Sequence, residues 1–197
     1  MSTRERLVRE TAALLERKGY QATGIKEIVR AAGATPSSLY HHFPGGKQEL
    51  AVAALGHAGE RFADLLRGAL AREPDVDAAV AACATDLADD LAATDWADGC
   101  PVAVTALESV GDSPLLRTAA ADILRGWREL IAARLRAGGI DADAAIDLAC
   151  TVVSILEGAE LQSRVTAGPG ALHTAATHLS WLVRGAVRAE SAPARSG

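Results

Sequence analysis

Apolar positions along the chain recur at spacings of three and four, the signature of helices with one buried face. Leu7, Thr11, Leu14 and Leu15 form the first stripe. The pattern predicts a helix from Thr3 to Lys18, with Thr3 as its cap, Glu5 in the first turn and Gly19 as its stop. A short helix capped by Thr23 follows, with Ile25, Ile28, Val29 and Ala32 inward and Lys26, Glu27 and Arg30 outward, until Gly33 breaks it. Thr35 then caps a third helix. Pro36 stands at its first position, where a missing N–H is harmless, and Pro44-Gly45-Gly46 stops it after Phe43.

The remaining segments also carry the helical period. They are predicted over 47–71, 75–93, 101–110, 113–137, 141–165 and 171–189, with Asp75, Ser113 and Asp141 at starts and Gly138-Gly139 and Pro169-Gly170 as breaks. The last two helices have wide apolar faces. Leu148, Val152, Ile155 and Ala159 mark one, and Leu172, Ala175, Leu179, Leu182 and Ala186 mark the other. Small residues such as Ala145, Ala149, Ala159 and Ala175 allow close helix approach, so these two helices are expected to form the seam of an isologous dimer, the alternative being the core of the single chain.

Composition strengthens the all-α reading. Alanine occurs 43 times and aromatic residues make up 4% of the chain, which favours helices over a sheet. No run of about 20 apolar residues is present, so no membrane span is expected. The opening Met-Ser-Thr-Arg-Glu-Arg is no signal-peptide start, and a cytoplasmic location is expected. Cys83, Cys100 and Cys150 form no C-x-x-C pair and read as reduced thiols.

A net charge of −5 argues against a nucleic-acid partner until it is resolved along the chain. Residues 1–50 hold eight Lys/Arg against five Glu, whereas residues 51–197 hold 12 basic and 20 acidic residues. The basic end contains two short helices joined by a tight turn behind a longer helix, the helix-turn-helix arrangement. Its third helix has two apolar anchors, Leu39 and Phe43. Its other residues, Ser37, Ser38, Tyr40, His41 and His42, are small or hydrogen-bonding. That face suits a helix that reads base edges.

The residues in this region resemble a known family. Gly19-Tyr20, Thr23-Gly24-Ile25, Ile28 to Ala34, Ser37 to Phe43 and Lys47 to Leu50 together resemble the N-terminal DNA-binding domain of TetR-type repressors. Gly99-Cys100-Pro101-Val102 through Leu107-Glu108, with Pro44-Gly45-Gly46-Lys47, is similar to the LmrA/YxaF-like branch. The resemblance implies an all-α homodimeric repressor with three parts. These are a helix-turn-helix domain over 1–46, an effector-binding and dimerisation domain over 47–190, and the remaining segment over 191–197, which its own residues mark as a disordered tail. It implies a palindromic double-stranded DNA operator, and release by a small hydrophobic or aromatic effector such as a flavonoid or a hydrophobic drug. Carried over by position, Thr23 and Lys26 lie near phosphates, and Thr35, Ser37, Ser38, Tyr40, His41 and His42 form the reading element. Lys47 meets a phosphate at the start of the fourth helix. Pro36 departs from the family pattern, which often places a polar residue or glycine there.

Effector-pocket candidates facing the middle of the C-terminal region are Phe62, Leu66, Leu87, Trp96, Val104, Glu108, Trp127, Ile131 and Glu160. Trp181 is expected in the dimer seam or the core. Enzymatic chemistry finds no footing. Gly45-Gly46-Lys47-Gln48 lacks the residues of a P-loop, and no nucleophile elbow occurs. Glu157 and Glu160 have no Glu-x-x-His companions, so neither metal nor cofactor is expected. The competing reading is a helical protein-interaction module without DNA binding. It leaves the polar third helix unexplained.

Overall fold

The computed structural model of the protein describes residues 1–109 and 113–191. Among the described residues there are nine α-helices and no strand. They are α1 (Thr3–Lys18), α2 (Ile25–Ala31), α3 (Pro36–His42), α4 (Gly46–Arg72), α5 (Val76–Ala93), α6 (Pro101–Ser109), α7 (Pro114–Ala137), α8 (Ala142–Thr166) and α9 (Gly170–Ser191). The tail expected over 191–197 lies outside the described residues, apart from Ser191 at the end of α9.

Two compact units are present. One comprises Met1–Phe62 and Ala97–Leu124, the other Ala63–Trp96 and Arg125–Gly197. This differs from a single break after residue 46. The start of α4 belongs with the head because Leu50 is fully buried in the head's apolar cluster.

In the first unit that cluster joins Leu7, Ile28, Val29, Ala32, Leu39, Phe43 and Leu50. The caps explain why such short helices hold. Ser2, not Thr3, opens α1. Its hydroxyl accepts the Glu5 N–H at 3.2 Å, and the Glu5 carboxylate accepts the Ser2 N–H at 2.7 Å. This reciprocal box satisfies two orphan donors, while Thr3 is already helical and accepts from Arg6. Arg6 also donates to the Ala32 carbonyl at 3.0 Å, tying α1 to the end of α2. There Gly33 takes φ +56, and the Ala34 N–H reaches the Val29 carbonyl at 2.8 Å. That is a Schellman ending, which favours glycine.

In the second unit α5 buries a broad face through Val76, Ala79, Val80, Ala82, Cys83, Ala84, Leu87, Ala88 and Leu91, and leaves Thr85, Asp89 and Asp90 exposed. α9 packs along α5 and α8. Asp77 accepts from Arg184 at 2.6 and 3.0 Å and from Ser180 at 3.1 Å, pinning α9 to the start of α5. Arg134 donates to the carbonyls of Leu70, Glu73 and Pro74, closing the end of α4. Asp141 caps α8 as expected, whereas Asp75 precedes α5 without a side-chain cap bond.

Candidate nucleic-acid interface

The third helix is built to present a polar face. The Thr35 hydroxyl accepts the Ser38 N–H at 3.1 Å and donates to the Ser38 hydroxyl at 3.2 Å. Pro36 occupies the first helical position, and Leu39 and Phe43 are buried anchors. These constraints leave Ser37, Tyr40 and His41 exposed, with Ser38 and His42 half-buried. The His41 and His42 rings meet edge-on, 5.1 Å apart. Thr35 and Ser38 are partly committed to each other as a cap, so the freest hydroxyls on α3 are those of Ser37 and Tyr40.

The neighbouring helices add cations. Lys26 and Arg30 are both exposed on α2. Glu27, between them, is taken up in an ion pair with Lys18. Arg4, which sequence reasoning did not single out, places its guanidinium 5.3 Å from the centre of the Phe43 ring. Nothing local in the sequence joins positions 4 and 43; only packing of α1 against α3 does.

Thr23 has to be reassigned. It is fully buried, and its hydroxyl donates to the Gly19 carbonyl at 2.7 Å. The cap position of α2 passes to Gly24, which has no side chain to offer. Thr23 therefore supports the turn and has no surface left for a phosphate.

Lys47 lies at the start of α4, half-buried, with its ammonium 4.0 Å from the centre of the Tyr20 ring. Burial pulls its pKa below the usual lysine value, and the nearby Glu108 charge acts in the opposite sense. Glu108 was expected in an effector pocket. Instead its Oε2 accepts the N–H of Tyr20 at 2.6 Å and of Gln21 at 3.0 Å. Gly19 makes this approach possible: a Cβ there would lie 2.5 Å from Glu108 Oε1, and the backbone φ is +78.

The other effector candidates are distributed over the fold. Phe62 and Val104, in the first unit, are half-buried. In the second unit Leu66, Leu87, Trp127, Ile131 and Glu160 are buried and Trp96 is half-buried. The seam candidates divide by exposure. Val152, Ala159, Leu172, Ala175 and Leu179 are buried within the single chain, as are Ala145 and Ala149. These side chains are packed within the chain itself, so they have almost no area to give a partner. Leu148, Ile155 and Ala186 are half-buried, and Leu182 is exposed. The open apolar surface on these helices is instead Ile146, Leu161 and Val165 on α8 and Trp181 and Leu182 on α9, with Trp181 59% exposed. The Trp181 ring rests edge-on against His178 at 4.9 Å.

Known proteins share this arrangement. Residues 7–54 match the bacterial regulatory proteins of the tetR family, and residues 77–178 match the C-terminal domain of LmrA/YxaF-like transcriptional regulators. The chain belongs to the TetR family, in its LmrA/YxaF-like group. An uncharacterized HTH-type transcriptional regulator of Mycobacterium tuberculosis is 36% identical to this regulator over 82% of the chain and 84% of its own length. A TetR transcriptional regulator from Chloroflexus aurantiacus, solved as a crystal structure, superposes with a TM-score of 0.77. It shares 29% identity, over 92% of this chain and 94% of its own. The TetR-family regulator CifR, solved as a cysteine mutant with 26 bp of double-strand operator DNA, superposes with a TM-score of 0.73. At 22% identity, over 94% of this chain and 95% of its own, it speaks to the fold alone. The regulator's family is one of transcription factors and not of enzymes. Among the described residues no helix is long and apolar enough to cross a membrane.

Proposed function

We propose that this regulator is a ligand-responsive repressor. It binds a palindromic operator as a homodimer and leaves it when a small hydrophobic or aromatic effector binds. The observation that carries the reading is the exposed polar face of α3. Ser37, Tyr40 and His41 are exposed on α3, and the cations Lys26 and Arg30 are exposed on α2, in the basic quarter of an otherwise acidic chain. Phosphate contacts from Lys26, Arg30 and Lys47 supply affinity, and contacts from Ser37, Ser38, His41 and His42 supply sequence preference. Tyr40 bonds a phosphate rather than a base.

Two copies pair through the outer faces of α8 and α9. Ile146, Leu161, Val165, Trp181 and Leu182 are the apolar residues still available for burial there. Effector contacts are drawn from Leu66, Leu87, Trp96, Trp127, Ile131 and Glu160 of the second unit.

A gel shift on the DNA upstream of the regulator's own gene tests the reading. A shifted band with a steep salt dependence supports it, and no shift at low salt overturns it. Light scattering after gel filtration tests the pairing. Wild type is expected at twice the chain mass and Trp181→Asp at the chain mass; a monomeric wild type refutes the dimer.

A further inference from the structure

The turn after α1 is shaped as a seat for a carboxylate. Two successive amides, those of Tyr20 and Gln21, converge on one oxygen of Glu108 at 2.6 and 3.0 Å. Consecutive N–H groups of this kind form a concave anion site. Gly19 leaves the space that any Cβ would fill. The Lys47 ammonium stands on the Tyr20 ring, and the Glu108 charge acts on it. Gln48, next in sequence, donates to the Ser113 hydroxyl, which also accepts the Leu116 N–H at 3.3 Å at the start of α7. At the start of α4, Lys47 thus rests on the ring of a residue whose amide Glu108 holds, and Gln48 is bonded to the residue that precedes α7.

A carboxylate beside a DNA-binding face is unfavourable by itself, because it repels phosphates. Its two amide bonds and the adjacent lysine supply a structural reason for its presence. We propose that Glu108 is a positioning residue for DNA binding: seated on the Gly19–Gln21 turn, it fixes Lys47 and the start of α4 against α1, so that the lysine meets a phosphate in a set place. This rests on the reading that α3 and the start of α4 meet DNA.

The test compares wild type, Glu108→Ala, Glu108→Gln, Lys47→Met and the Glu108→Ala/Lys47→Met pair. Binding to a 40-bp random-sequence duplex is followed by anisotropy over a salt series. Positioning predicts that Glu108→Ala weakens binding by about tenfold, from the loss of charge-assisted bonds. Gln still offers an oxygen to both amides and recovers about half of that loss on a logarithmic scale. The effect of Glu108→Ala shrinks when Lys47 is already Met. A carboxylate acting only by repulsion gives the opposite sign, with tighter binding in both Ala and Gln variants. That result overturns the proposal, as does unchanged affinity.

Hydrogen exchange at the Tyr20 and Gln21 amides adds a readout independent of DNA. It is expected to quicken in Glu108→Ala while amides of α8 stay protected; unchanged exchange at the turn overturns the seat. If wild type fails to bind any duplex, the DNA reading falls and this role falls with it. If wild type binds and the variants match it, only the positioning role falls.

Discussion

Replacing Gly33 by alanine isolates the energetic cost of the turn that sets α3 behind α2. Gly33 has φ +56. Its N–H reaches the Arg30 carbonyl at 3.2 Å while the next N–H reaches Val29 at 2.8 Å. A Cβ at this position meets no atom within 4 Å. Steric clash therefore contributes nothing, and the cost is backbone alone. The left-handed conformation costs an L-residue about 1–2 kcal/mol. Alanine also restricts the unfolded chain, which returns about 0.4–1 kcal/mol. The expected net loss is about 1 kcal/mol, or roughly 2–4 °C in melting temperature for a chain of this size.

Gly24→Ala is the matched control. Its φ of −96 and ψ of 147 suit any residue, and the space around it is also open. Its effect is expected within about 0.5 kcal/mol of zero. Asparagine tolerates the left-handed region, so Gly33→Asn should restore about half of the loss. Urea unfolding followed by circular dichroism measures all three variants. The reasoning fails if Gly33→Ala is no less stable than Gly24→Ala, or if asparagine is no better than alanine.

Three further outcomes are expected. Lys26→Ala or Arg30→Ala should lower the slope of log affinity against log salt by about 0.9 for each phosphate the side chain neutralises, on any DNA sequence; an unchanged slope removes that residue from the interface. Asp77 is held below the usual carboxylate pKa range by its hydrogen bond from Arg184. A depressed folded pKa stabilises at pH values above the unfolded one, so the melting-temperature gap between wild type and Asp77→Asn should be full at pH 7. The gap should shrink as pH falls below about 4, and a gap independent of pH refutes the ion pair's role. Burial pushes the Cys83 thiol up to about 12, whereas Cys150 is exposed. Iodoacetamide at pH 8 should therefore label Cys150 in the folded protein and Cys83 only after unfolding. Equal labelling rates contradict the packing of α5.

Local chemistry was the readable part of this fold. Gly33, the Thr35-Pro36 start and the Asp141 cap each act through neighbours a few residues away, so the sequence alone places them. Thr23 shows where that legibility ends. A threonine before a short helix looks like a cap, but the hydroxyl turned back four residues to Gly19 once the turn was buried. Glu108 meets amides 88 and 87 residues earlier in the chain, and no window of sequence holds both ends of such a bond. On α8 and α9 the period marked apolar stripes, and whether a stripe faces the chain's own core or its outside is set by packing that no window of sequence holds. Ala149, Ala159 and Ala175 turned inward, and the outer residues Ile146, Leu161 and Val165 lay off the expected stripe.

The alanine-lined surface of α5 has a consequence for how such regulators diverge. With Ala79, Ala84 and Ala88 at most 2% exposed, a larger side chain on that helix has nowhere to go unless a facing residue shrinks. Drift on α5 and on the inner face of α9 is therefore expected in compensating pairs that conserve joint volume. The exposed apolar residues of α8 and α9 carry no such constraint within the chain, so under the proposed pairing substitutions there change the affinity of two copies and leave the fold of each intact.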